Sequence, residues 1–95
     1  MIRTPDDHTA MALALAPVDQ AFAGSEAKWG VGRLERLVSH ATLTAYRRGW
    51  DRYRAALEAN DHEAIAGDVG PKMIAALAYM DAEATRAGVQ PISIG

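Results

Sequence analysis

The chain has 95 residues and a mass of 10.2 kDa, enough for one small domain and too little for a deep catalytic cleft. Hydrophobic residues make up 49% and charged residues 23%, the balance expected of a soluble globular domain. Cysteine is absent, which excludes a disulfide scaffold, a zinc ribbon and a thiol nucleophile, and no apolar run approaches the ~20 residues of a membrane span.

The formal charge of -2 hides an uneven distribution. Residues 1–27 set Arg3 against Asp6, Asp7, Asp19 and Glu26, a net of -3. Residues 28–54 carry Lys28, Arg33, Arg36, Arg47, Arg48, Arg52 and Arg54 against Glu35 and Asp51, a net of +5. Residues 55–95 return to a net of -4. A basic centre between acidic flanks has two readings. The acids of the flanks neutralise the arginines within the fold, where exposed pairs contribute only ~0–1 kcal/mol each. Alternatively, the arginines form a surface for nucleic acid or an acidic protein.

In chain order, residues 1–24 read as an N-terminal arm or short helix and residues 25–95 as a helical bundle domain. Asp6 and Asp7 ahead of the apolar stretch MALALA oppose a secretion signal, which wants positive charge there. Met11, Leu15, Val18 and Phe22 fall on one helical face, and Pro17 is expected to kink or split it. Gly24-Ser25 ends the arm, with Ser25 as N-cap of a helix from Glu26 to about Val38. Its stripe is Ala27, Val31, Leu34, Val38 and Ala41, widened by Leu37. Gly30 and Gly32 each cost up to ~1 kcal/mol of helix propensity, and point to close approach by a neighbour or a loose first turn. Trp29 beside them reads as core or interface packing.

The clearest helix runs from Ala41 or Thr42 to Ala59. Leu43, Tyr46, Trp50, Tyr53 and Leu57 step along it as a heptad-like seam, and this helix is expected to be the spine of the core. Arg47, Arg48, Asp51, Arg52 and Arg54 occupy its other faces. Gly49 leaves room for a second helix to lie close. After the turn at Asn60-Asp61, with Asp61 as cap and Glu63 in the first turn, a third apolar face comprises Ile65, Ala66, Val69, Met73, Leu77, Met80 and Ala84. Gly67 and Gly70-Pro71 favour a split into helices near 62–67 and 71–87. Gly88 stands where a C-cap glycine belongs, and the tail VQPISIG reads as extended. The fold class is all-α: a small antiparallel bundle of three main helices with an N-terminal helical or extended arm.

Three segments carry a family likeness: Trp29-Gly30 with Arg33-Leu34-Glu35-Arg36-Leu37-Val38, the aromatic and arginine helix ending Ala55-Ala56-Leu57-Glu58-Ala59, and the Ala/Leu/Met helix of residues 76–88. Together, over about residues 26–92, they resemble a group of small uncharacterised helical proteins encoded in prophages and other mobile elements of proteobacteria. The likeness implies a phage-type context, an unbroken last helix where this chain has Gly67 and Gly70-Pro71, and no catalytic residues.

The residues themselves offer no catalytic pattern. Ser25, Ser39 and Ser93 lack a nucleophile-elbow setting. His62-Glu63 is not a zinc-protease motif, since position 66 is alanine. His8, His40 and His62 are too far apart for a local metal site, and Gly30 and Gly32 lack the third glycine and preceding strand of a dinucleotide site. The expectation is a non-enzymatic binding module without cofactor or metal, in the cytoplasm of a bacterial host or associated with a virion. Its partner is a protein, either a second copy or a host or phage complex; the alternative is nucleic acid. In both cases the contact residues are Arg33, Arg36, Arg47, Arg48, Arg52 and Arg54. The sequence pI near 5.8 and the placement of Tyr46, Trp50 and Tyr53 on the apolar seam argue against nucleic acid.

Overall fold

The computed structural model describes residues 5–92. Within them five α-helices succeed one another: α1 (Pro5–Lys28), α2 (Val31–Leu37), α3 (His40–Glu58), α4 (His62–Ala64) and α5 (Gly70–Arg86), with a π-helical segment, Ile65–Val69, joining α4 to α5. No strand occurs among the described residues, and the all-α class holds. The first four positions of the arm and the last three of the tail lie outside the described residues.

The first long helix is the supposed arm. α1 spans 24 residues, about 36 Å at the α-helical rise, and passes through both Pro17 and Gly24-Ser25. Ala14 and Val18 are buried, and Met11, Leu15, Ala21 and Phe22 pack around them, so one continuous stripe faces the core. Pro17 and Leu13, whose carbonyl the proline deprives of a hydrogen bond, are exposed and line the edge of a small pocket against Ile65, Gly70 and Pro71. The exposed carbonyl is open to solvent, and packing of the inner stripe overrides the proline's cost. Ser25 therefore caps nothing. Its carbonyl accepts from Trp29 and Gly30 at the helix end, and Gly30, at φ +73°, reverses the chain as only glycine does cheaply. The helix expected over 26–38 shrinks to α2, whose first-turn N–H, that of Val31, is capped at 3.1 Å by Glu26.

The next boundaries obey their caps. Ser39 Oγ accepts from the Thr42 N–H at 3.3 Å to open α3. At its other end Asn60 adopts φ +58°, with Asn60 N–H donating to Leu57 and Asp61 N–H to Ala56; this double closure satisfies the last carbonyls. Asp61 then caps α4 through the Ala64 N–H at 3.1 Å. The expected split at Gly70-Pro71 does not occur. Pro71 has no N–H to return to residue 67, and its ring would press on that carbonyl in a regular helix. The chain widens by one residue instead, with Gly70 N–H donating to the Ile65 carbonyl, and the helix continues. A Cβ on Gly70 would strike that carbonyl and lie 3.2 Å from Val18 Cγ2, so glycine also lets α1 come close. Gly88, at φ +78°, ends α5 as expected.

The spine is α5, not α3. Met73, Leu77, Met80 and Ala84 are buried, because α1 packs on one side of α5 and α3 on the other. On α3, Tyr46 and Tyr53 are buried, but Leu43, Trp50 and Leu57 are half-exposed, and Thr42 and Ala56 take the inner positions. Lys28 beside Asp81 and Val18 beside Gly70 show that α1 and α5 run parallel. Thr42 beside Glu83 and Gly49 beside Met73 show that α3 opposes α5. Consecutive long helices are thus antiparallel, with α1, α3 and α5 as the main three and α2 as a link; a boundary at residue 24 would fall inside α1. The body measures 55 × 30 × 17 Å, a layer little thicker than one helix with its side chains. Its radius of gyration, 15.0 Å, exceeds the roughly 12 Å of a compact chain this long.

Candidate functional site

The arginines of the basic centre do not form one face. Arg33, half-buried, donates to the Gln90 carbonyl at 3.1 Å, and the Ile92 N–H donates to the Lys28 carbonyl at 2.8 Å, so Arg33 helps pin the tail across the α1–α2 corner. Arg47 lies 4.0 Å from Glu35. Arg36 and Arg54 are exposed in different places. Arg48 and Arg52, one turn apart on α3, are the two that converge: both line a groove between α3 and α5 of about 560 Å³. Among the described residues, no carboxylate lies within 4.0 Å of Arg36, Arg48, Arg52 or Arg54. Internal neutralisation therefore leaves most of the basic centre untouched.

The groove is built from two helical stripes. Ala45, Arg48, Gly49 and Arg52 repeat at three, one and three on α3, and Val69, Lys72, Ala76 and Tyr79 at three, four and three on the helix opposite. Its floor is small, since Ala45, Gly49, Ala75 and Ala76 carry at most one methyl each, and a Cβ on Gly49 would meet Met73 Sδ beneath at an ordinary contact distance of 3.6 Å. Its rim is cationic. Lys72 is engaged with Asp68 at 3.1 Å, while Arg48 and Arg52 point to solvent. Tyr79, 58% exposed, stands at one end. Lys72 and Tyr79 do not stand out in the sequence. The spacing of Val69, Lys72, Ala76 and Tyr79 is a readable signal, but it lies outside the apolar stripe that defines the helix.

No protein-family model, curated protein or solved structure matches the chain. The groove is read from its own chemistry. It offers an apolar trough about three turns long, two cations without a carboxylate partner among the described residues, and one exposed phenol. Among the described residues, no group of three His, Asp or Glu side chains is placed to hold a metal ion, and no helix is long and apolar enough to cross a membrane.

A second polar assembly holds the fold. The Glu83 carboxylate on α5 accepts from the Ser39 N–H, the Ser39 hydroxyl and the Thr42 hydroxyl at the start of α3. These bonds hold the Glu83 carboxyl below its ordinary range, the Thr42 hydroxyl contributing most and the Ser39 N–H next. Sequence patterns do not disclose this clasp, because its partners are 44 residues apart at Ser39.

Proposed function

We propose that the chain is a non-catalytic protein-binding module of phage or mobile-element type, acting in a bacterial cytoplasm or on a virion as an accessory component or as an inhibitor of a host defence complex. The single observation that supports it most is the α3–α5 groove, in which Arg48 and Arg52 flank an apolar floor without carboxylate partners. A trough with small residues below and charge at the rim suits a partner helix whose apolar stripe is bordered by Asp or Glu. The thin helical layer adds to this, because it leaves apolar surface for a partner to cover.

Exposed Arg36, Arg48, Arg52 and Arg54 favour nucleic acid as the second reading. Tyr46 and Tyr53 are buried and are not free to stack on bases, which weighs against it.

The experiment is affinity capture from the native host with the wild type and with Arg48→Glu/Arg52→Glu. Both positions are exposed, so each substitution should change stability by no more than about 0.5 kcal/mol. The expected result is a captured species lost on charge reversal and insensitive to nuclease. Retention by the double variant removes the groove from the reading. Loss on nuclease treatment, with salt-sensitive binding to plain duplex DNA, transfers it to nucleic acid. Sedimentation of the purified chain reports whether the captured species is a second copy.

A further inference from the structure

On the opposite side of α3 from the cationic groove lies a cleft of about 610 Å³ with the reverse character. Phe22 of α1 and Trp50 of α3, both half-buried, supply its aromatic walls over the buried Tyr46, and Glu26 and Glu35 supply carboxylates. The Phe22 and Trp50 rings meet edge to face, with centroids 5.5 Å apart at 66°. Aromatic faces attract cations through the ring quadrupole, and adjoining carboxylates strengthen that attraction. We propose that this cleft binds an organic ammonium group, carried by a choline-like molecule or by a lysine side chain of a basic peptide.

Three observations support the assignment. First, the molecule already places a cation at the mouth: Arg47 lines the cleft, its guanidinium 4.0 Å from Glu35, beyond hydrogen-bond length, on a side chain 66% exposed. So loosely held a group is readily displaced. Second, Glu26 spends one oxygen, Oε1, on the Val31 N–H, which fixes the carboxylate at the rim. Third, the charge of Glu35 reaches the buried tyrosine of the cleft. The Tyr46 hydroxyl is pushed above its ordinary range by burial and then by the charge of Glu35, and the Tyr53 hydroxyl by burial and then by Asp19. Tyr53 packs against Trp50 at 5.7 Å between centroids and backs the aromatic wall. The proposal is independent of the groove on the other face and survives the failure of the protein-binding reading.

The test is a titration of the full-length chain, labelled with nitrogen-15, monitored at the two indole N–H resonances. One arm uses choline chloride, a second Nα-acetyl-lysine methylamide, and a third sodium chloride at matched ionic strength. The expected result is a saturable shift of the Trp50 indole in the millimolar range, with the buried Trp29 indole unmoved and no saturation in sodium chloride. The tighter of the two ammonium arms identifies the source of the group. Glu35→Gln should weaken binding by about threefold, the order of one partly exposed charge contact, and Arg47→Ala should strengthen it by removing the competitor. A Trp50 shift that never saturates, that sodium chloride reproduces, or that Glu35→Gln leaves unchanged overturns the proposal.

Discussion

If α5 is the spine of the fold, truncating its leucine costs more than truncating a leucine of the α3 seam. Leu77 is 2% exposed on the helix held between α1 and α3. Leu57 belongs to the seam but packs only against the edge of the core. Leu77→Ala removes buried methyl groups and leaves a cavity that three helices cannot close together, for a loss of about 3 kcal/mol. Leu57→Ala already has solvent on one side, and about 1 kcal/mol is expected. For a domain of this size each kcal/mol moves the melting temperature by roughly 4–8 °C. Thermal unfolding monitored by circular dichroism should therefore show a drop of about 12–24 °C for Leu77→Ala and about 4–8 °C for Leu57→Ala. Chemical denaturation at one temperature checks the same ranking without the heat-capacity correction. Equal losses, or a larger loss at Leu57, would refute the central placement of α5.

Pro17→Ala should stabilise the protein by about 1–3 kcal/mol, since it restores a backbone donor in an exposed helix interior; a lower melting temperature would show that the proline ring has a packing role. Gly30→Ala places a Cβ at φ +73° and should cost about 1–2 kcal/mol, read as a lowered denaturant midpoint with an unchanged slope. Glu83→Gln tests the clasp through pH. The folded carboxyl titrates below its unfolded value, so its stabilisation is present above the unfolded carboxylate range and lost as pH falls through the folded pKa. The gap in melting temperature between wild type and Glu83→Gln should be open at neutral pH and close in acid; a gap independent of pH would mean that the charge of Glu83 contributes nothing.

Local chemistry makes much of this fold readable. Asp61, Gly88 and the chain turn at Asn60 act where side-chain type alone says they should, and the face of Met11, Leu15, Val18 and Phe22 is a true helical face. The errors arise where tertiary packing outweighs a local rule. Pro17 breaks nothing because it sits at the exposed edge of α1 while Val18, one residue on, is locked beside Gly70. Gly70-Pro71 reads as a break because proline forbids a regular turn, but a widened turn is an equally local answer. The α3 seam misleads at Leu43, Trp50 and Leu57, which lie half-exposed, because the buried face is turned so that the small Thr42 and Ala56 join Tyr46 and Tyr53 at the inner positions. Of the residues lining the cationic groove, Arg48 and Arg52 can be named from sequence. Their separation from Arg33 and Arg47 cannot, because it depends on a tail carbonyl and a carboxylate brought in from other helices.

The π-helical segment has a further consequence for how the last helix can change length. A widened turn holds one more residue than the regular spiral needs, and it takes up that surplus without rotating the residues beyond it. Deleting Gly67 together with Pro71→Ala should give an ordinary spiral in which Met73, Leu77 and Met80 keep their inward bearing. The same deletion elsewhere in α5 would swing every later side chain by about 100° and turn the interior of the protein outward.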